Sequence, residues 1–114
     1  MKEKESKNIT ETPFGYTLSL ISGKWKMIIL YLLSEHEVIR YNELQRKIGG
    51  ITYKMLSSQL KELESDELIN RKEYPMIPPK VEYSLTNRGK SLIPILDGMC
   101  RWGSKERPEL LCIV

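Results

Sequence analysis

Apolar positions along the 114-residue chain fall into blocks whose period changes twice. Between Lys24 and Leu33, Trp25, Ile28, Ile29, Leu32 and Leu33 recur at the i, i+3, i+4, i+7, i+8 spacing that lines one face of an α-helix. Before this block, residues 16–21 form a shorter helical candidate, with Leu18 and Ile21 three apart and Ser22-Gly23 as the break. Val38 to Arg40 is long enough only for a stub of strand. Asn42 to Ile48 predicts a third helix, with Leu44 and Ile48 on one face. Gly49-Gly50 ends it, because glycine takes the left-handed conformation a helix terminus needs. Thr52 then offers a hydroxyl to an unpaired backbone N–H, and a fourth helix follows from about Tyr53 to Asp66. Leu56, Leu60 and Leu63 form its buried face.

The period then drops to two. Ile69, Arg71 and Glu73 alternate with Asn70, Lys72 and Tyr74, and Val81, Tyr83 and Leu85 alternate with Glu82 and Ser84. The intervening Pro75-Met76-Ile77-Pro78-Pro79 is neither helix nor central strand, so the two runs form a hairpin with a stiffened tip. Thr86 caps a last helix running to about Gly103, with Leu92, Ile95, Leu96, Met99 and Cys100 along its apolar side. Pro94 bends this helix or marks its first turns. Helix, glycine turn, capped helix and hairpin, in that order, are the parts of a winged helix-turn-helix. The expected fold class is therefore mainly α with a small β-hairpin (α+β). Residues 1–11 are expected as a flexible N-terminal tail, 12–107 as the single domain and 108–114 as a C-terminal tail.

Charge sharpens this picture. The net charge is only +3, but it is clustered. Residues 12–31 carry Lys24 and Lys26 with no acid, and residues 71–90 carry five bases against two acids. Along the fourth helix, Lys54 and Lys61 come first and Glu62, Glu64, Asp66 and Glu67 follow. The basic front suits phosphate and the acidic rear does not, and the helix dipole adds positive potential at the same front end. Opposite the leucine stripe lie Tyr53, Lys54, Ser57, Ser58 and Lys61, which can donate, accept or stack. With Thr52 they form the candidate DNA-reading helix. Lys24 and Lys26, flanking Trp25, are candidate phosphate contacts or plain surface lysines. Arg71, Lys72 and Lys80 are candidates on the wing, with Arg71 equally placed to pair a neighbouring carboxylate.

Other chemistries find no support. Gly98 to Lys105 approaches a nucleotide-binding loop, but Ser104 and Lys105 are in the wrong order and the segment does not follow a strand. The single histidine, His36, reads as a solvated loop residue and makes a histidine-based metal site untenable. Two cysteines, Cys100 and Cys112, make no disulfide framework, and Cys100 reads as a small buried hydrophobe. No nucleophile–base pair is present, so the chain is not expected to be an enzyme, and no cofactor or metal is expected. No apolar run approaches 18 residues and the N-terminus lacks a signal-like core, so a cytoplasmic protein that does not engage membranes is expected.

Several ordered motifs resemble the HxlR-type winged helix-turn-helix regulators of bacteria. They are Ile21-Ser22-Gly23-Lys24-Trp25-Lys26, Tyr41-Asn42-Glu43-Leu44, the run from Met55 to Glu64, the run from Tyr74 to Thr86 with Gly89, and Arg101-Trp102-Gly103. The resemblance covers about residues 12–103. It implies a dimeric regulator whose first and last helices build the dimer contact, with Lys24, Lys26, the helix from Thr52 onward and the wing facing DNA. Three departures stand out. Thr12 occupies a position where many relatives carry a cysteine, some of them for sensing oxidants or electrophiles, and a hydroxyl cannot do thiolate chemistry. Glu67 stands where relatives usually have glycine, and Tyr53 replaces what is often glutamine.

The apolar faces agree with a dimer. Leu92, Ile95, Leu96, Met99 and Trp102 on the last helix, with Leu18 and Ile21 on the first, exceed what one small core needs. The expected function is a sequence-specific transcription regulator, a repressor by default, acting as a homodimer on a pseudo-palindromic stretch of double-stranded DNA. No residue pattern names a small-molecule effector. The alternative is a winged-helix protein-interaction module without DNA binding, against which Lys54, Lys61 and Lys80 on one side argue.

Overall fold

The computed structural model describes residues 8–110. A short 3-10 turn, Ile9–Glu11, precedes α1 (Pro13–Ile21) and α2 (Lys26–Glu35). Strand β1 (Ile39–Arg40) leads into α3 (Tyr41–Ile48) and α4 (Tyr53–Ser65). Strands β2 (Ile69–Tyr74) and β3 (Lys80–Leu85) form the hairpin, and α5 (Asn87–Lys90) and α6 (Ile93–Glu106) complete the order. The expected winged helix-turn-helix is therefore present. The strand stub at residues 39–40 is a true edge strand: Ile39 pairs with Tyr83 and Arg40 with Glu82, giving an antiparallel sheet of order β1-β3-β2.

Helix α2 lies in the middle of the molecule, touching α3, α4, α6 and β3. Ile29, Leu30 and Leu33 are fully shielded, together with Leu44 of α3, Leu56, Leu60 and Leu63 of α4, and Ile39 and Leu68. Leu30 lies off the stripe read from periodicity, because a central helix buries more than one face. Trp25 is only half-buried and precedes the helix.

The ends differ from expectation in three places. Thr12 is the N-cap of α1, its hydroxyl accepting from the Gly15 N–H at 3.1 Å. The turn at residues 9–11 packs on Gly15, where a Cβ would meet the Ile9 carbonyl oxygen at 2.1 Å. Residues 8–11 are thus part of the fold, while 1–7 of the expected tail, and 111–114 at the other end, lie outside the described residues. The single last helix is two. Thr86 caps the short α5 by accepting from the Gly89 N–H at 2.9 Å. A new helix then begins with Pro94 in its first turn, where proline's missing N–H costs nothing.

Cys100 is half-buried and disulfide-bonded, not a shielded hydrophobe; Cys112 lies outside the described residues. His36 is half-buried and lines a cleft with Glu35, Glu37 and Lys90, rather than standing in solvent. No helix among the described residues is long and apolar enough to cross a membrane.

Glu67 adopts φ +63, the left-handed conformation its position after α4 demands. Its surroundings hold it there. The Thr86 hydroxyl donates to the Glu67 carbonyl at 2.8 Å, and Arg88 Nε donates to the Asp66 carbonyl at 3.0 Å. A terminal nitrogen of Arg88 also donates to the Tyr16 hydroxyl at 2.8 Å, tying α1 and α5 to the end of α4.

Candidate nucleic-acid interface

The turn between α3 and α4 is built from local chemistry. Gly49 and Gly50 both take positive φ (70 and 74), a conformation open to glycine at little cost. Ile51 is buried behind them, and Gln45 Nε2 donates to its carbonyl at 3.1 Å, fixing the turn to α3. Thr52 Oγ1 accepts from the Met55 N–H at 3.0 Å, the expected cap. With Leu56, Leu60 and Leu63 buried, α4 presents Tyr53, Lys54, Ser57, Ser58 and Lys61 to solvent, as the periodicity predicted.

This surface has internal order that the sequence did not reveal. The ring of Tyr41, at the start of α3, stacks on Tyr53 at 5.9 Å between centroids and 8° between planes. The Tyr41 hydroxyl donates to the Tyr53 carbonyl at 3.1 Å and contacts Ser57 Oγ at 2.8 Å. Tyr41 figured in the sequence only as part of a motif. Its one available signal was an aromatic residue at a helix start, since its partners lie 12 and 16 residues away. Met55 is likewise exposed on the front of α4, off the leucine stripe.

The wing splits its charges between two faces. Cross-strand pairing places Arg71 with Tyr83 and Ile39, on the side facing α4, and Lys72 with Glu82 and Arg40 on the other. Arg71 lies opposite Tyr83 across the strands and pairs with Glu73 at 3.3 Å. Burial pushes the Tyr83 hydroxyl above its ordinary pKa, and Arg71 draws it partly back. Arg71 therefore lines a groove of about 430 Å³ between α4 and the wing, with Ser57, Lys61 and Glu64 across from it. Lys72 and Lys80 lie over the Tyr74 ring at 5.1 and 4.2 Å, and Lys80 also reaches Glu82 at 3.5 Å. Beyond them the tip exposes Met76 and Ile77.

Lys24 and Lys26 separate. Lys24 is exposed, its ammonium 4.6 Å from the centre of the Trp25 ring. Lys26 is only 8% exposed and pairs with Glu62 Oε1 at 2.6 Å, on the rear half of α4. The expected pair of surface lysines is thus one surface lysine and one shielded lysine paired with an exposed glutamate. The residues expected at a dimer contact also divide. Ile21 (6% exposed) and Leu96 (5%) belong to the core and Leu92 packs against it, whereas Leu18, Ile95, Met99 and Trp102 are exposed. Phe14 of α1, which lies before the apolar pattern of residues 16–21, is exposed as well.

A capped helix carrying polar and aromatic side chains outward, beside a hairpin bearing lysines, defines a DNA-binding protein of the winged helix-turn-helix class. Comparison with known proteins agrees. The HxlR-like helix-turn-helix family matches residues 20–110. An uncharacterized HTH-type transcriptional regulator of Halalkalibacterium halodurans is 66% identical over 101 residues, covering 89% of each chain. The uncharacterized HTH-type transcriptional regulator YdzF of Bacillus subtilis is 59% identical over 93 residues, 82% of this chain and 85% of that one. Among solved structures, the redox regulator HypR in its oxidized form superposes with a TM-score of 0.78 at 45% identity, covering 84% of this chain and 98% of that one. The reduced form of the transcriptional regulator YodB from B. subtilis gives 0.70 at 33% identity, over 82% and 92% of the two chains. The chain belongs to the HxlR family of helix-turn-helix transcriptional regulators.

Proposed function

We propose that this regulator is a cytoplasmic homodimer that represses transcription by occupying a pseudo-palindromic operator. In this reading α4 enters the major groove by its front end, and the wing lies along the neighbouring backbone. The observation that carries it is the outward face of α4: Thr52 caps the helix while Tyr53, Lys54, Ser57, Ser58 and Lys61 stand exposed opposite a fully buried leucine stripe. Base contacts specify sequence and phosphate contacts position the protein. Tyr53, Lys54, Ser57 and Ser58 therefore read bases, and Lys24, Lys72 and Lys80 neutralise phosphates. Lys26, shielded and paired with Glu62, has a structural role, whereas Arg71 stands exposed beside Glu73 on the wing and can meet the DNA backbone there. Exposed Phe14, Leu18, Ile95, Met99 and Trp102 on the terminal helices support a dimer, since apolar side chains of this size gain from leaving water.

The deciding experiment selects bound sequences from random duplex DNA and titrates the winner against salt. A motif with two related half-sites is expected. If the dimer neutralises about 6–10 phosphates, affinity falls roughly 10³–10⁵-fold between 50 and 200 mM salt. A flat salt response, or no enriched motif, refutes the proposal.

A further inference from the structure

The hydrogen-bond chain beneath the front of α4 has a direction, and the direction determines what Ser57 can read. Tyr41 Oη lies 3.1 Å from the Tyr53 carbonyl oxygen and 2.8 Å from Ser57 Oγ. A phenol has one proton, and a carbonyl oxygen can only accept. Both contacts are hydrogen bonds at once in one arrangement only, with the Tyr41 proton on the Tyr53 carbonyl. In that arrangement the contact between Tyr41 and Ser57 is made with the serine's proton, which points inward. Ser57 is exposed, so its outward side offers lone pairs alone. The Tyr41 ring is held in place by its stack on Tyr53 and by Tyr83, tilted against it at 6.5 Å.

Resting on the DNA reading above, we infer that Ser57 is a specificity-determining residue that acts as an acceptor only and selects a base carrying an amino group, adenine through N6 or cytosine through N4. Tyr41 is the positioning residue that imposes this polarity. Guanine O6 and N7, thymine O4 and the phosphate oxygens are all acceptors, and a serine without an outward proton disfavours them. A serine with a rotating hydroxyl would tolerate either kind of edge. The tyrosine thus converts an indifferent side chain into a discriminating one without itself touching DNA.

The test begins with selection from random duplex DNA using the full wild-type chain, Ser57→Ala and Tyr41→Phe. Ser57→Ala is expected to lose preference at one position per half-site and keep the rest. At that position, replacing adenine by purine or cytosine by 2-pyrimidinone removes only the amino group. This is expected to weaken wild-type binding roughly 2- to 12-fold, the range of one hydrogen bond, with no further loss in Ser57→Ala. Tyr41→Phe retains both ring contacts, frees the Ser57 proton and is expected to admit guanine or thymine at the same position. A motif unchanged by Ser57→Ala, or a Tyr41→Phe variant that keeps the wild-type preference there, overturns the inference and leaves the DNA reading standing. So does a wild-type protein indifferent to amino-group removal at every adenine and cytosine of the motif, a result that needs no variant to fold. A wild-type chain that enriches no motif overturns the DNA reading itself.

Discussion

Lys26 gives the sharpest test of where this protein's basic residues act. Its ammonium is 2.6 Å from Glu62 Oε1, with the lysine side chain 10% exposed and the glutamate side chain 54%. Lys26→Ala removes three buried methylenes at about 0.8 kcal/mol each, or roughly 2.4 kcal/mol. It also removes an ion pair whose half-exposed acid limits its value to about 0.2–1 kcal/mol. The total is about 3 kcal/mol, which for an m-value of roughly 1.5 kcal/mol/M lowers the urea midpoint by about 2 M. Lys26→Met keeps the length of the stem and leaves Glu62 in contact with water, so its cost stays within about 1 kcal/mol. Glu62→Ala strands the shielded ammonium without its partner and costs more than Lys26→Met, about 1–3 kcal/mol, although glutamate is the more exposed member. The assay is urea unfolding of all three variants at one protein concentration, because dimer stability depends on concentration. Salt-dependent DNA titration of Lys26→Met accompanies it, and its slope is expected to match wild type. A Lys26→Met variant with unchanged stability, whose slope falls by about 0.9 for each phosphate no longer neutralised, would show that Lys26 reaches the DNA backbone and would refute the ion-pair account.

Three further outcomes follow from the geometry. Thr52→Ala removes the cap at the front of α4 and is expected to destabilise the fold by about 1 kcal/mol in denaturant unfolding, a result that an unchanged midpoint would contradict. Glu67→Gly relieves a left-handed residue worth about 1–2 kcal/mol against about 0.5–1 kcal/mol of added chain entropy. Its melting temperature should rise by about 2–8 °C, whereas Glu67→Ala, equally strained, should show little gain. On α6, Ile95→Glu with Met99→Glu should halve the mass seen by light scattering and preserve the helical circular dichroism, while Leu96→Ala should cost about 2–5 kcal/mol of stability. A double variant with unaltered mass would remove α6 from the dimer contact.

Short-range chemistry was legible in the residues alone. The leucine stripe of α4, the Gly49-Gly50 turn, the Thr52 and Thr86 caps and the proline-tipped hairpin each depend on neighbours a few positions apart. Periodicity, capping and turn chemistry report such neighbours directly. The exposed face of α4 was read correctly for the same reason, because a buried stripe leaves the opposite face outside. Tertiary structure decided whatever depended on which face meets which. Lys26 turns inward because α2 passes beside the rear of α4, where Glu62 waits. Arg71 faces α4 because the hairpin register pairs it with Tyr83. On α6, Leu96 entered the core while Ile95, Met99 and Trp102 stayed outside, a division of one apolar helix face that requires knowing how wide its partner is. Tyr41 acquired its place under Tyr53 and Ser57 only when α3 and α4 packed together. A sequence states which side chains share a face; the closing of long chain loops decides what that face touches.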